Sequence, residues 1–428
     1  MTKYNANEVF TPTTQAQLTF IERESDINDE LVESLMTPGK QLIIYGHSGT
    51  GKSTLIVNKL NQTYENVIIS RCTSEAKFDE LILDAFDQLD VYFDENTTKQ
   101  TTKSIGVTIK KSYALIQGQI QASISSSSSV KSARIIPPQL TPQRLAQFLG
   151  ASKNCWVIED FHKLKPDEKT KFAQNMKVFV DTATEYPDVK MIAIGAVGTA
   201  REVVEYDKEL NNRVSEIFVP PLSKNELHSI LDKGEKLLNI SFTQNIKNKI
   251  VEFSNGLGSI CHQLALNLCF SKNIFITSEI KIHFNNSDLK TALEKFIKSN
   301  SDTLKGRFDK ATKVQRERNF NNGRIILKAM TQLSKDVMNY NEILQNIQNT
   351  ETTYPPGNLT QYLKKLQEDD RGSVITYNSD NNTYSFTDPF IKTYVQCVFD
   401  EKNNAHDSQE TARQVTAIFE RLMEKMIK

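Results

Sequence analysis

Residues 46–53 read Gly-His-Ser-Gly-Thr-Gly-Lys-Ser. This stretch constrains the chain more than any other, because it dictates what must precede and follow it. The apolar run Gln41-Leu42-Ile43-Ile44-Tyr45 enters it and Thr54-Leu55-Ile56-Val57 leaves it, so it reads as the turn between a buried strand and a helix. Gly46, Gly49 and Gly51 carry no side chain, and the backbone there can curl closely enough to aim N–H groups at phosphate oxygens. The helix opening near Lys52 adds the positive end of its dipole. The candidate phosphate cradle is therefore Gly46, His47, Ser48, Gly49, Thr50, Gly51, Lys52, Ser53 and Thr54. In such a loop the lysine reaches the β- and γ-phosphates of ATP and the serine hydroxyl ligates Mg²⁺, which assigns those roles to Lys52 and Ser53.

Phosphate chemistry also needs acid. Cys155-Trp156-Val157-Ile158 is an apolar run that ends in Glu159-Asp160. A run of this kind reads as a buried parallel strand whose carboxyl end presents two carboxylates. By position Glu159 holds the metal and Asp160 polarises the attacking water. The order is inverted relative to the usual Asp-then-Glu pair.

The chain has 428 residues, enough for two to four domains. Lys+Arg and Asp+Glu are each 52, and this zero net charge speaks against strong non-specific nucleic-acid binding by the whole chain while leaving room for a local patch. The cysteines are odd in number and lack metal-ligand spacing, which fits a reducing, cytoplasmic setting. Met1-Thr2-Lys3-Tyr4-Asn5 does not begin a signal peptide, and no apolar run approaches the roughly 18 residues of a membrane span, so no membrane partner is expected.

Along the chain, a helix is expected over Asp26–Met36, stopped by Pro38-Gly39. Strands are expected at Gln41–Tyr45, Asn66–Arg71, the acidic strand, Lys190–Ile194 and Glu216–Val219. Alternation with helices, as at Phe78–Leu89 and Phe172–Val180, predicts an α/β three-layer parallel sheet with its ligand at the carboxyl ends of the strands. Residues 91–138 interrupt this pattern. Ile105, Val107 and Ile109, then Ile116, Ile120 and Ile124, alternate in a way that suggests a long hairpin, while Ser125–Ser129 and Pro137-Pro138 read equally as a loop. After Pro220-Pro221 the pattern turns helical, with one helix opening at Gly256-Leu257-Gly258-Ser259. From 324 on, helices Arg324–Leu333, Asn341–Ile347 and Asn358–Leu366 precede a hairpin of Val374–Tyr377 and Thr383–Phe386, which suggests a winged helix. The implied domains are 1–221 (with the 91–138 insertion), 222–300 and 301–400. A final amphipathic helix over 401–428 is marked by Val415, Ile418, Phe419, Leu422 and Met426.

In this order of motifs the chain resembles the AAA+ P-loop ATPases, specifically the origin-recognition-type and STAND-like ATPases. Phe20-Ile21-Glu22-Arg23-Glu24 resembles their entry box, and Gly46–Ser53 and Ile158–Asp160 match their Walker A and B motifs. Leu210-Asn211-Asn212-Arg213-Val214 resembles the box that carries an arginine finger, which implies that Arg213 acts on the γ-phosphate of a neighbouring subunit. Arg201 is the lesser alternative. The resemblance implies an ATP- and Mg²⁺-dependent ATPase that assembles as a homo-oligomer, with a helical lid and a C-terminal winged helix, in a prokaryotic defence or mobile-element setting. Two features depart from the pattern. The fourth strand runs into Gly195-Ala196-Val197-Gly198-Thr199 without the usual polar sensor, for which Thr199 is the nearest substitute. The lid segment lacks the sensor arginine and offers only His262, either a stand-in or a structural histidine. Missing sensors imply slow hydrolysis and a nucleotide-gated switch.

Residues 294–324 hold nine cations against four acids, a local balance of +5 next to the winged segment. Gln361, Lys364 and Lys365 lie on its third helix, so double-stranded DNA is a candidate partner of an initiator or loader, although Glu368-Asp369-Asp370 follows at once. A solvated charged face is the alternative. A third reading is an adaptor that recruits a separate effector protein, since no protease or nuclease constellation stands out.

Overall fold

The protein is described from a computed structural model. Residues 2–23, 26–64, 66–89, 140–196, 210, 212–299, 301–314, 320–333, 335–379 and 381–400 are described. The expected hairpin in 91–138 and the tail helix over 401–428 lie outside them, as do Thr199 and Arg201. The chain divides into two units, Phe20–Leu222 and Met1–Thr19 with Ser223–Lys428. The opening turn α1 (Ala6–Val9) belongs to the second.

In the first unit the elements run α2 (Ile27–Met36), β1 (Gln41–Tyr45), α3 (Lys52–Thr63), β2 (Asn66–Arg71), α4 (Phe78–Gln88), α5 (Pro142–Ala151), β3 (Asn154–Glu159), α6 (Pro166–Thr182), β4 (Lys190–Gly195) and β5 (Val214–Phe218). The strands form one parallel sheet in the order β2-β3-β4-β1-β5. Because side chains alternate between faces, Leu42, Ile44, Cys155 and Val157 pack with Leu55, Ile56 and Leu60 of α3 and with Leu31 and Leu35 of α2. Ile43, Trp156 and Ile158 face the opposite layer, which holds Phe78, Phe161, Phe172 and Phe179. Burial on both faces explains why these strands read as unbroken apolar runs. Trp156 brings one polar atom into this layer, and its Nε1 donates to Ser70 Oγ at 3.1 Å. Ser70 in turn donates to Asp84 at 2.6 Å. Losing one of the buried aromatics, for instance by Phe172→Ala, costs on the order of 3–5 kcal/mol.

The fifth strand begins earlier than expected, at Val214, because pairing with β1 starts at Gln41↔Val214. At the amino end of the sheet Lys190 is fully buried. Its ammonium donates to Thr37 O at 2.5 Å and to Lys40 O at 2.8 Å, closing the turn between α2 and β1.

The second unit begins with α7 (Lys224–Leu238), capped by Ser223, whose hydroxyl accepts from Glu226 N while Glu226 accepts from Ser223 N. It continues through β6 (Ile240–Ser241), α8 (Gln244–Ser254), α9 (Gly258–Ser271), β7 (Ile282–His283), α10 (Asn286–Ser299) and α11 (Gly306–Thr312). Phe10, just after α1, is buried against α7, where a Cβ on Gly234 would lie 2.2 Å from its ring. The winged segment is α12 (Asn322–Gln332), β8 (Val337–Asn339), α13 (Tyr340–Thr350), α14 (Pro356–Lys365), β9 (Ile375–Asn378) and β10 (Thr383–Phe386), followed by a helix over 389–400. Strands pair in the antiparallel order β8-β10-β9. Three residues with a single buried side chain, Met338, gave β8 no readable period. Ile326, Leu327, Met330, Ile343, Leu359 and Leu363 join Ile375 and Phe386 in one core. Asn255 ties α8 to the 389–400 helix by donating to Thr393 Oγ1 at 2.8 Å and Gln396 Oε1 at 2.7 Å.

Candidate functional site

The loop between β1 and α3 owes its course to its glycines. Gly49 and Gly51 have φ of 80° and 88°, in the left-handed region that residues with a Cβ avoid. At Gly46 the constraint is contact, since a Cβ would lie 2.4 Å from Val219 O on the chain leaving β5. Thr50 is buried, and its hydroxyl donates to His47 O at 3.0 Å, pinning the loop's width. The first turn of α3 contains no acidic residue and its N-cap, Gly51, no capping side chain, so its N–H groups and dipole are available to an anion. Ser53 and Thr54 sit in that turn, half-buried, while His47 and Ser48 are exposed.

Lys52 folds back over the loop that precedes it. Its ammonium donates to Gly46 O at 2.9 Å and His47 O at 2.7 Å. Burial lowers its pKa, and the Asp160 carboxylate opposes that shift. Arg23 braces the loop from behind. Its guanidinium donates to Thr50 O at 3.3 Å and to Pro220 O, joining the loop to the segment after β5.

The acidic pair ends β3, separated from β1 by β4 alone. Each carboxylate already has a cation. Glu159 pairs with Arg71 on β2, Oε2 to Nε at 3.2 Å, across the register Arg71↔Glu159. Asp160 is left-handed, with φ of 59°, and pairs with Lys163 at 2.7 Å across a single 3₁₀ turn, Phe161–Lys163. Buried Phe161, 4.4 Å from the Phe172 ring centre, anchors that turn. Asp160 is the acid that acts electrostatically on Lys52. His162 shares this field, its pKa lowered first by burial, with Asp160 opposing. Among the described residues, no three His, Cys, Asp or Glu side chains converge as a metal cage. Mg²⁺ bound with a nucleotide does not require one, because phosphates and water supply most of its ligands.

The structure gathers Gly46–Thr54, Glu159 and Asp160 at the carboxyl end of the sheet. Arg213 lies elsewhere, just before β5, where its carbonyl accepts from Gln41 N at 3.0 Å. That is the amino end of β1, so Arg213 cannot reach this loop from within its own unit. It is exposed and pairs with Asp181 at 3.5 Å. His262 is fully accounted for as a structural residue. Its Nδ1 accepts from Thr11 N at 3.1 Å, and burial lowers its pKa to about 4, so it carries no charge at neutral pH.

Arg71 and Lys163 were not singled out from sequence. The signal for Arg71 was present once β2 is placed beside β3, because the two strands end level. A cleft of about 690 Å³ beside β2 and α4 includes Arg71, Glu75 and Asp84 in its wall but none of the glycine loop.

No protein-family profile matches the chain, and no curated protein does. Solved structures do resemble it. The Walker-type ATPase PABY2304 of Pyrococcus abyssi shares 16% identity at a TM-score of 0.49, over 89% of this chain and 100% of that one. The Aeropyrum pernix ORC2 protein shares 10% at 0.45, over 94% and 98%. Cdc6p from Pyrobaculum aerophilum shares 12% at 0.39, over 92% and 98%. At such identities the fold stands on this chain's own strand order and on where its loop and acids fall. With β1 between β4 and β5, the glycine loop after β1, the acidic pair after β3 and a winged helix towards the end of the chain, the chain has an AAA+-type P-loop fold followed by a winged helix.

Proposed function

We propose that this protein binds ATP on Gly46–Thr54, hydrolyses it slowly, and uses the bound nucleotide as a switch. The observation that carries the reading is Lys52, held by two loop carbonyls inside the curl where β- and γ-phosphates would lie. A nucleotide exchanges those carbonyls for phosphate oxygens, a stronger charge-assisted pairing. The free N–H groups of the α3 first turn receive the remaining phosphate charge. Ser53 and Glu159 would hold Mg²⁺, which would supply charge neutralisation at the transferred phosphoryl group. Asp160 orients the attacking water once it is released from Lys163.

Slow turnover is supported by the chemistry of the lid segment and of Arg213, each within its own unit. His262 is buried, neutral and hydrogen-bonded, so the lid segment supplies no charge from that position. Arg213, exposed and far from its own loop, suits a role toward a second copy of the chain. A switch of this kind fits a STAND-like protein in a prokaryotic defence or mobile-element system, acting through an effector partner. Asp160→Asn is expected to keep ATP binding and lower turnover by at least about 100-fold, the scale of general-base loss. Turnover in that variant at the wild-type rate would remove Asp160 from the chemistry.

A further inference from the structure

The outer face of the winged helix has the wrong charge for a duplex. Between Val337 and Phe386 there are three cations, Lys364, Lys365 and Arg371, against six carboxylates, a balance of −3. Two of those cations are engaged internally. Arg371 is buried and donates to Lys313 O at 2.8 Å. Lys365 lies 5.1 Å over the Tyr362 ring. In the neighbouring basic stretch two arginines are drawn inward too, while Lys295, Lys298, Lys305, Lys310 and Lys313 are exposed. Arg307 donates to Gly372 O, Ser373 O and Asp388, and Arg324 lies over the Phe399 ring.

What α14 presents outward is Gly357, Thr360, Gln361 and Lys364, all exposed, running into Glu368, Asp369 and Asp370. That acidic turn is tied by hydrogen bonds from Ser373. Ser373 N donates to Glu368 O at 3.0 Å, and Ser373 Oγ to Asp369 Oδ1 at 2.7 Å. Among the described residues no cation pairs with these three carboxylates. They also extend the carboxyl end of α14, where the helix dipole is already negative. The tyrosines of the wing add exposed aromatic surface, Tyr377 being 39% exposed and 4.8 Å from Tyr384.

The chain carries the complementary charge in its own sequence. Residues 96–138 contain six cations (Lys99, Lys103, Lys110, Lys111, Lys131 and Arg134) and no Asp or Glu. A net charge of zero thus hides two segregated regions of opposite sign. We infer that the α14–wing face is a docking surface for the cationic 96–138 segment of a second copy of this chain, and not for nucleic acid. Long-range attraction between such regions speeds and orients encounter, and it repels a polyanion. The contact is heterologous, with different surfaces on the two copies.

The test uses the full chain without nucleotide and a fluorescent peptide of residues 96–138. The peptide is expected to bind wild type, and to bind at least tenfold more weakly to Glu368→Gln/Asp369→Asn/Asp370→Asn and in 500 mM salt. Wild type is expected to self-associate with rising concentration in sedimentation. The acidic-turn variant and Lys103→Gln/Lys110→Gln/Lys111→Gln are both expected to stay monomeric. Unchanged peptide affinity in the acidic-turn variant overturns the inference. So does peptide binding by a chain that remains monomeric, which would place the contact within one copy. A 20-bp duplex that binds wild type, and is lost on Lys364→Ala, overturns it in favour of DNA.

Discussion

Glu159 and Asp160 adjoin in sequence but answer to different cations. Glu159 ends a strand, and its partner Arg71 ends the strand beside it. Asp160 turns left-handed and meets Lys163 three residues on. Arg71 therefore competes with Mg²⁺ for Glu159. Its side chain is 70% exposed, so the pair is worth no more than about 1 kcal/mol. Arg71→Ala is expected to lower the Mg²⁺ concentration for half-maximal turnover by up to about fivefold, the factor that energy allows. A higher Mg²⁺ requirement would mean that Arg71 orients Glu159 for the metal. At this scale the course of the glycine loop was legible, because positive φ at Gly49 and Gly51 and the close contact at Gly46 call for glycine. The ion pairs were not, because they depend on which strands become neighbours.

The strands of the central sheet were legible as apolar runs, and β1 and β2 have the limits the sequence suggested. Burial on both faces makes such strands continuous in sequence. The short edge strand β8 escaped for the opposite reason, being set by its partner β10 and not by its own pattern. One residue inside a strand breaks the apolar rule. Lys190 opens β4, yet it is fully buried because two carbonyls of the α2–β1 turn need its protons. Burial lowers its pKa to about 8, with Cys155 and Asp188 opposing. The unfolded value is about 10.4, so between the two the unfolded chain binds more protons and stability rises with pH. Below about pH 8 the group carries its full desolvation cost. Lys190→Met removes this dependence. The stability advantage of wild type over Lys190→Met, measured by urea unfolding, is expected to grow between pH 7.5 and 9.5. A constant difference would show that Lys190 does not titrate in this range.

At the level of the whole molecule, the order of motifs along the chain foretold the fold, since the P-loop and the acidic strand permit few arrangements of the sheet. The charge of the winged helix was harder to read. Within a basic stretch of +5 in sequence, Arg307 and Arg324 are used as internal clamps, which no local pattern announces, while Lys295, Lys298, Lys305, Lys310 and Lys313 stay exposed. Assembly is the property that one copy cannot display. If Arg213 serves a neighbour's site, ATP turnover per protomer rises with protein concentration, and Arg213→Ala lowers it about 10-fold or more while ATP still binds. A flat rate, indifferent to Arg213, would leave only its surface pair with Asp181. Among the described residues no helix is long and apolar enough to cross a membrane. The most direct measurement is calorimetric titration of Mg²⁺–ATP into wild type and Lys52→Ala. Saturable one-site binding by wild type, weakened at least tenfold in the variant, is the predicted result. Equal affinity in both, or no binding by wild type, would contradict a nucleotide site on this loop.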